Sequence, residues 1–225
     1  MGELIILADR FEERSGVLND RFGERSRVLT GERPAFFFDL GCPFSYLAAE
    51  RVERLLGEAD WIPTASAALG PRGSRSQRAA ARAQAQRRAA ALDLPLVWPD
   101  RSPPHVPGAL RAAAHAARSG GGARFALAAS RLAFCGGFDL DDPEIIAEAA
   151  AAAGIPLAGC LAAARDPDRD VALQASARVL LEHGISGLPA VRLGRRWFQG
   201  EGGLAQAATA RRMYATYGRP LAPAG

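Results

Sequence analysis

The run FFFDLGCPFSYLAAERVERLL, residues 36–56, changes character at a single point. From Ala35 to Leu40 it is apolar and of strand length, and from Pro43 to about Gly57 its apolar residues recur at helical spacing. The fixed φ of proline suits the first helical position, so the helix starts directly after Cys42. A second short apolar strand, ADWIPTAS at 59–66, follows. Two strands joined by a crossover helix lie parallel, and parallel strands are covered on both faces. The chain is committed to an α/β sheet with a cysteine where strand hands over to helix.

Beyond this unit the pattern turns helical. Segment 75–92 reads as an Ala/Arg/Gln helix, 93–107 as a proline-rich loop, and 108–119 and 123–136 as helices separated by SGGG. Asp142-Pro143-Glu144 and Asp166-Pro167-Asp168 are helix starts, the acid capping and the proline in the first turn. The second of these helices runs to His183, where Gly184 stops it. Strand pattern returns in LPAVRLG (188–194) and RRWFQ (195–199), which meet in a turn at Gly194-Arg195, and a helix over 203–217 closes the chain. The predicted organisation is an α/β domain built from 35–71 and 185–225, an inserted helical subdomain at 72–184, and an N-terminal arm at 1–34. In the arm Leu7, Phe11, Leu18, Phe22 and Leu29 recur at helical spacing. It either packs on its own domain or joins two copies as a homodimer.

Composition narrows the function. All 28 basic residues of the 225 are arginine, they interleave with acids, and the formal net charge is only +4. The run RGSRSQRAAARAQAQRR (72–88) has no interleaved aromatics, so it reads as a solvated helix face and not a nucleic-acid surface. Three cysteines, an odd number, argue against a disulfide-stapled secreted domain. The apolar stretch Leu4–Ala8 is too short for a signal-peptide core, and no stretch approaches the roughly 20 apolar residues of a membrane span. A cytoplasmic protein is expected. No metal-ligand spacing and no glycine-rich nucleotide loop ending in lysine occurs.

The chemistry therefore falls to Cys42. Free N–H groups and the positive end of a helix dipole favour a thiolate there, which predicts a lowered thiol pKa. Ser45 sits on the same helical face, placed to donate a hydrogen bond to the sulfur. The competing reading is that Cys42 is a small buried hydrophobe. A second feature lies far along the chain: HGISGLPAVRL puts Leu188-Pro189 at the start of a strand, a position that tolerates proline.

Together FFFDLGCPFSYLAAERV, FDLDDPEIIAEAAAAAGI and GISGLPAVRLGRRWFQGEGGL resemble the thioredoxin-like DsbA family over residues 35–217. The resemblance is to the branch holding 2-hydroxychromene-2-carboxylate isomerases and kappa-class glutathione transferases. It implies that Cys42 carries the chemistry, as attacking cysteine in oxidoreductases or in place of the isomerases' glutathione-contacting serine. Ser45 then stands where a resolving cysteine would be, and Pro43 and Phe44 shape the site. The resemblance further implies a cis peptide at Leu188-Pro189, with Leu188 backbone facing the bound thiol or peptide. The acid that grips the γ-glutamyl amine in glutathione-using relatives is absent from Gly200-Glu201-Gly202-Gly203, or shifted to Glu201. His105, in the proline-rich loop, is a candidate to meet a substrate carboxylate, against the plainer reading of an exposed loop histidine. Trp98 joins Phe44 near the cleft, and Cys135 and Cys160 read as core residues. Three functions follow: monothiol thiol–disulfide exchange on a protein or small-molecule partner, a glutathione-dependent isomerase or transferase, or a non-catalytic binding module.

Overall fold

The computed structural model describes residues 33–71, 73–99 and 106–217, the last four by backbone alone. His105 and the arm, apart from Arg33 and Pro34, lie outside the described residues. The first strand, β1 (Ala35–Phe38), leads into helix α1 (Pro43–Leu56), which returns to β2 (Asp60–Pro63). β1 and β2 are parallel, with Phe36 opposite Trp61, as a crossover helix requires.

Between β2 and the third strand the chain is helical: α2 (Arg75–Ala91), α3 (Pro107–Arg118), α4 (Gly122–Phe134), α5 (Pro143–Ala153), α6 (Leu157–Arg165) and α7 (Asp170–Glu182). The hairpin β3 (Ala190–Leu193) and β4 (Arg196–Gln199) then gives way to α8 (Gly200–Tyr217). The sheet order is β2-β1-β3-β4, with β3 antiparallel to both β1 and β4. This is the expected α/β fold with a helical insertion.

Alternation along β1 explains its uninterrupted apolar sequence. Phe36 and Phe38 enter a large core with Leu47, Val52 and Leu56 of α1 and Leu204 of α8. Ala35 and Phe37 point the other way, to Ala177 and Leu180 of α7 and to Trp197. Trp61 meets Phe36 edge-on at 4.9 Å between ring centroids. Fully burying one such ring stabilises by about 1.5–3 kcal/mol, so β1 anchors both faces of the sheet. Bidentate ion pairs tie the helices to each other. Arg131 donates to Glu50 of α1 at 2.6 and 2.7 Å, and Arg111 donates to Asp170 of α7 at 2.7 Å twice.

Some boundaries differ from those the sequence suggests. The strands hold four residues each, because pairing ends where the register does. Residues 157–165 form a helix of their own, set off from α5 by Gly154 in left-handed conformation (φ 68°) and by Pro156. The last helix begins at Gly200 and not at 203, its glycine-rich first turn masking a helical start. His115 is half-buried, its ring 3.1 Å from where a Cβ on Gly159 would sit. Among the described residues, no helix is long and apolar enough to cross a membrane and no acid/His/Cys group is arranged for a metal.

Candidate active site

Cys42 is the N-cap of α1, in extended conformation (φ −102°, ψ 116°), with Pro43 opening the helix. The turn delivering it is held by Asp39, a buried residue sequence reading passed over. One Asp39 carboxylate oxygen accepts the Gly41 N–H at 2.7 Å and the other the Ser66 N–H at 2.8 Å. The Cys42 N–H donates to the Asp39 carbonyl at 3.0 Å, and the Asp39 N–H to Ser45 Oγ at 3.2 Å. Ser45 is almost fully buried. An acid inside an apolar strand run was the available signal, since a buried carboxylate needs donors close by.

The Cys42 thiol donates to the Leu188 carbonyl, with Sγ 3.7 Å from the oxygen. The Leu188-Pro189 peptide is cis. A carbonyl can only accept, so this contact suits the protonated sulfur. Although Cys42 keeps a partly exposed edge, burial of the sulfur pushes its pKa up. The nearby Asp39 carboxylate adds to the rise, while the Ser45 and Phe44 N–H groups and the Ser45 hydroxyl pull against it. The net direction is upward, which overturns the lowered value expected from the helix N-terminus. The helix supplies its N–H groups as anticipated, but desolvation outweighs them.

Beside the thiol lies a cleft of about 470 Å³. Phe44, Leu188 and the first turn of α8 (Gly200, Glu201, Gly202) form one side, and Gln84, Arg87, Arg88 and Ala91 of α2 the other. Cys42 is not in this wall; Phe44, two residues on, and Leu188, facing its sulfur, connect it. Gly200 adopts φ 79°, open to glycine, and its N–H donates to the Pro189 carbonyl at 2.7 Å. That bond seats α8 directly on the cis-proline segment.

Glu201 is buried and its carboxylate is taken up by two guanidiniums. Arg51 of α1 donates to Oε1, and Arg88 donates from Nη2 to Oε1 at 3.2 Å and from Nε to Oε2. The acid is thus in the wall, as placed from sequence, but already paired. Most described residues of the 72–88 run are exposed, as a solvated face requires, but at its end Arg87 and Arg88 also line the cleft. Arg82 of the same run lies 4.3 Å over the Trp98 ring, which packs on Phe134 and is not part of the wall.

Cys42, Pro43, Phe44, Ser45, Leu188, Pro189 and Glu201 thus gather around one thiol and one cleft. Cys160 is fully buried, and burial raises its thiol pKa. Cys135 lies 3.3 Å from the Tyr46 hydroxyl. Among the described residues neither contacts Cys42.

Comparison with known proteins agrees with this architecture. A 2-hydroxychromene-2-carboxylate isomerase superposes with a TM-score of 0.68 at 18% identity, covering 81% of this chain and 96% of that one. A probable DsbA oxidoreductase from Streptomyces coelicolor gives 0.63 at 20% identity, covering 84% and 92%. The cytosolic disulfide reductase DsbM from Pseudomonas aeruginosa, solved with GSH, gives 0.60 at 18% identity, covering 84% and 100%. No curated protein matches the chain. Residues 35–212, from β1 into α8, match the family described as the DSBA-like thioredoxin domain. With its thiol at the mouth of α1 and its cis-proline opposite, the chain belongs to the DSBA-like thioredoxin domain family.

Proposed function

We propose that the chain catalyses thiol–disulfide exchange through the single cysteine Cys42, with an external thiol completing each turnover. The observation that carries this reading is the position of the Cys42 sulfur, at the start of α1 and 3.7 Å from the Leu188 carbonyl. Cys42 as thiolate attacks one sulfur of a disulfide, forming a mixed disulfide, and the other half leaves as a thiolate that takes up a proton. An external thiolate then attacks the partner's sulfur, a new disulfide departs, and Cys42 recovers its electrons. Ser45 steadies the thiolate; Phe44, Leu188 and Pro189 guide the partner. Because Cys42 has no neighbouring thiol among the described residues, the second step is intermolecular. Glutathione is the proposed external thiol. The cleft offers donors for its carboxylates, and the DsbM neighbour was solved with GSH. Run this way the cycle consumes external thiol and reduces the partner disulfide, the direction that an excess of thiol imposes, and the raised Cys42 thiol holds most of the resting sulfur protonated between turnovers. A reducing compartment, the cytoplasm, suits that role.

The same raised thiol favours a second reading. A neutral Cys42 S–H is a hydrogen-bond donor, as a serine hydroxyl is, and can hold a bound glutathione thiolate for isomerase or transferase chemistry. One variant separates the two. Cys42→Ser is expected to reduce exchange on a glutathione–mercaptoethanol mixed disulfide to the uncatalysed rate, with Cys135→Ser unaffected. Exchange surviving in Cys42→Ser would sink the first reading. Glutathione-dependent turnover of an electrophile retained in Cys42→Ser would establish the second.

A further inference from the structure

We propose that the cleft beside Cys42 selects its external thiol by the carboxylates that thiol carries, and not by its amine. The inference rests on the thiol-exchange reading for the identity of the occupant, and on the charges of the wall for the rest. Among the described residues Glu201 is the only acid lining the cleft, and Arg51 and Arg88 together occupy both of its oxygens. Three guanidiniums, counting Arg87, stand against one carboxylate. Arg87 lines the cleft with no ion-pair partner among the described residues. An ammonium entering here meets positive charge and no free acceptor acid. A carboxylate meets Arg87, the Gln84 amide and the N–H groups of Glu201 and Gly202 in the first turn of α8, which have no carbonyl within the helix to bond, the Gly200 N–H being taken by Pro189. This reverses the expectation that an acid at this turn grips the amine of glutathione.

Gly202 shows where an amine-binding acid would have to stand. It lines the cleft, and a Cβ built on it meets nothing within 4 Å. The neighbouring Gly203 differs, because a Cβ there would lie 2.9 Å from the Phe198 backbone. A side chain at 202 enters open space, whereas one at 203 displaces β4.

The test measures calorimetric affinity of the full chain for three probes that bind without exchange: S-methylglutathione, its N-acetyl derivative and its diethyl ester. Acetylation removes only the ammonium, and esterification removes only the carboxylates. The N-acetyl form is expected to bind as tightly as S-methylglutathione or tighter, and the diester at least about tenfold more weakly, the loss of charge-assisted hydrogen bonds. Arg87→Gln, an exposed change, is expected to weaken both acids and leave the diester unchanged. Gly202→Asp is expected to turn the order round, so that acetylation now costs affinity. Equal binding of all three probes, no binding by any, or a greater loss from acetylation than from esterification in the wild type each overturns the inference. Exchange by Cys42 is assayed separately with uncharged mercaptoethanol. Exchange present with the wrong probe order removes the selectivity alone; the expected order without Cys42-dependent exchange removes the enzyme reading alone.

Discussion

The Cys42 sulfur shares its surroundings with a carbonyl that accepts from S–H and a buried carboxylate that repels S⁻, while the N–H groups of α1 favour the anion. With the balance upward, Cys42 alkylation by iodoacetamide is expected to be slower at pH 7 than that of a free cysteine, and to keep rising with pH beyond the ordinary thiol range. A rate that levels off near neutrality would contradict this. Asp39→Asn removes the repelling charge and should bring the pH midpoint down, with faster alkylation at pH 7. It also replaces an acceptor oxygen facing Gly41 or Ser66 by an amide donor, so some stability is lost. Ser45→Ala removes a group that pulls the thiol down, and the same assay should show the midpoint moving up. The position of this cysteine was legible in sequence because strand end, proline and helix start are local chemistry. Its protonation was not, because the Leu188 carbonyl arrives from 146 residues away and the Asp39 contacts depend on the tertiary turn.

Among the elements, α1, α2 and α8 meet at Glu201. Its partners lie 150 and 113 residues away in sequence, which hid the cluster from any reading of spacing. An Ala/Arg/Gln helix such as α2 also has no apolar stripe to announce which side faces inward. Glu201→Gln leaves the Arg51 guanidinium buried without a counter-charge, and removing one partner of a buried pair typically costs about 3–5 kcal/mol. Urea unfolding should show that loss at an unchanged m-value; a loss below about 1 kcal/mol would mean that solvent reaches Arg51. Between α3 and α6, His115 is held below its ordinary value by burial first, then by Arg118 and Arg169. The folded form therefore prefers neutral His115. Above the unfolded value of about 6.5 the residue has no effect, and as pH falls through it the unfolded chain binds the proton first, so stability drops. His115→Gln should lessen the fall in Tm between pH 7 and pH 5.

At the scale of the molecule, β1 is the member on which both cores depend, Phe36 and Phe38 to one side and Phe37 to the other. Phe36→Ala should cost about 3–5 kcal/mol, and a cost below about 1 kcal/mol would place the ring outside the core. The α/β class, the parallel β1–β2 pair and the hairpin were legible because periodicity, proline placement and the Gly194 turn are short-range signals. The partition of the helical stretch was less so. Ala/Gly runs such as AAAAGIPLAGCLAAA (150–164) look alike in helices and between them, and only Gly154 and Pro156 mark the break.

The bond from the Gly200 N–H to the Pro189 carbonyl closes residues 189–200 into a loop pinned at its base, and Gln199 Oε1 accepts the Ser186 N–H at 3.1 Å just below it. Thiol and cleft both sit at that base, while the turn at Gly194-Arg195 is at the opposite tip, with Arg195 exposed. The hairpin is in effect a handle whose grip is remote from the working end. A fluorophore or short peptide grafted at Arg195 should leave the chemistry of Cys42 untouched, which makes that turn the natural attachment point for a reporter or an affinity tag.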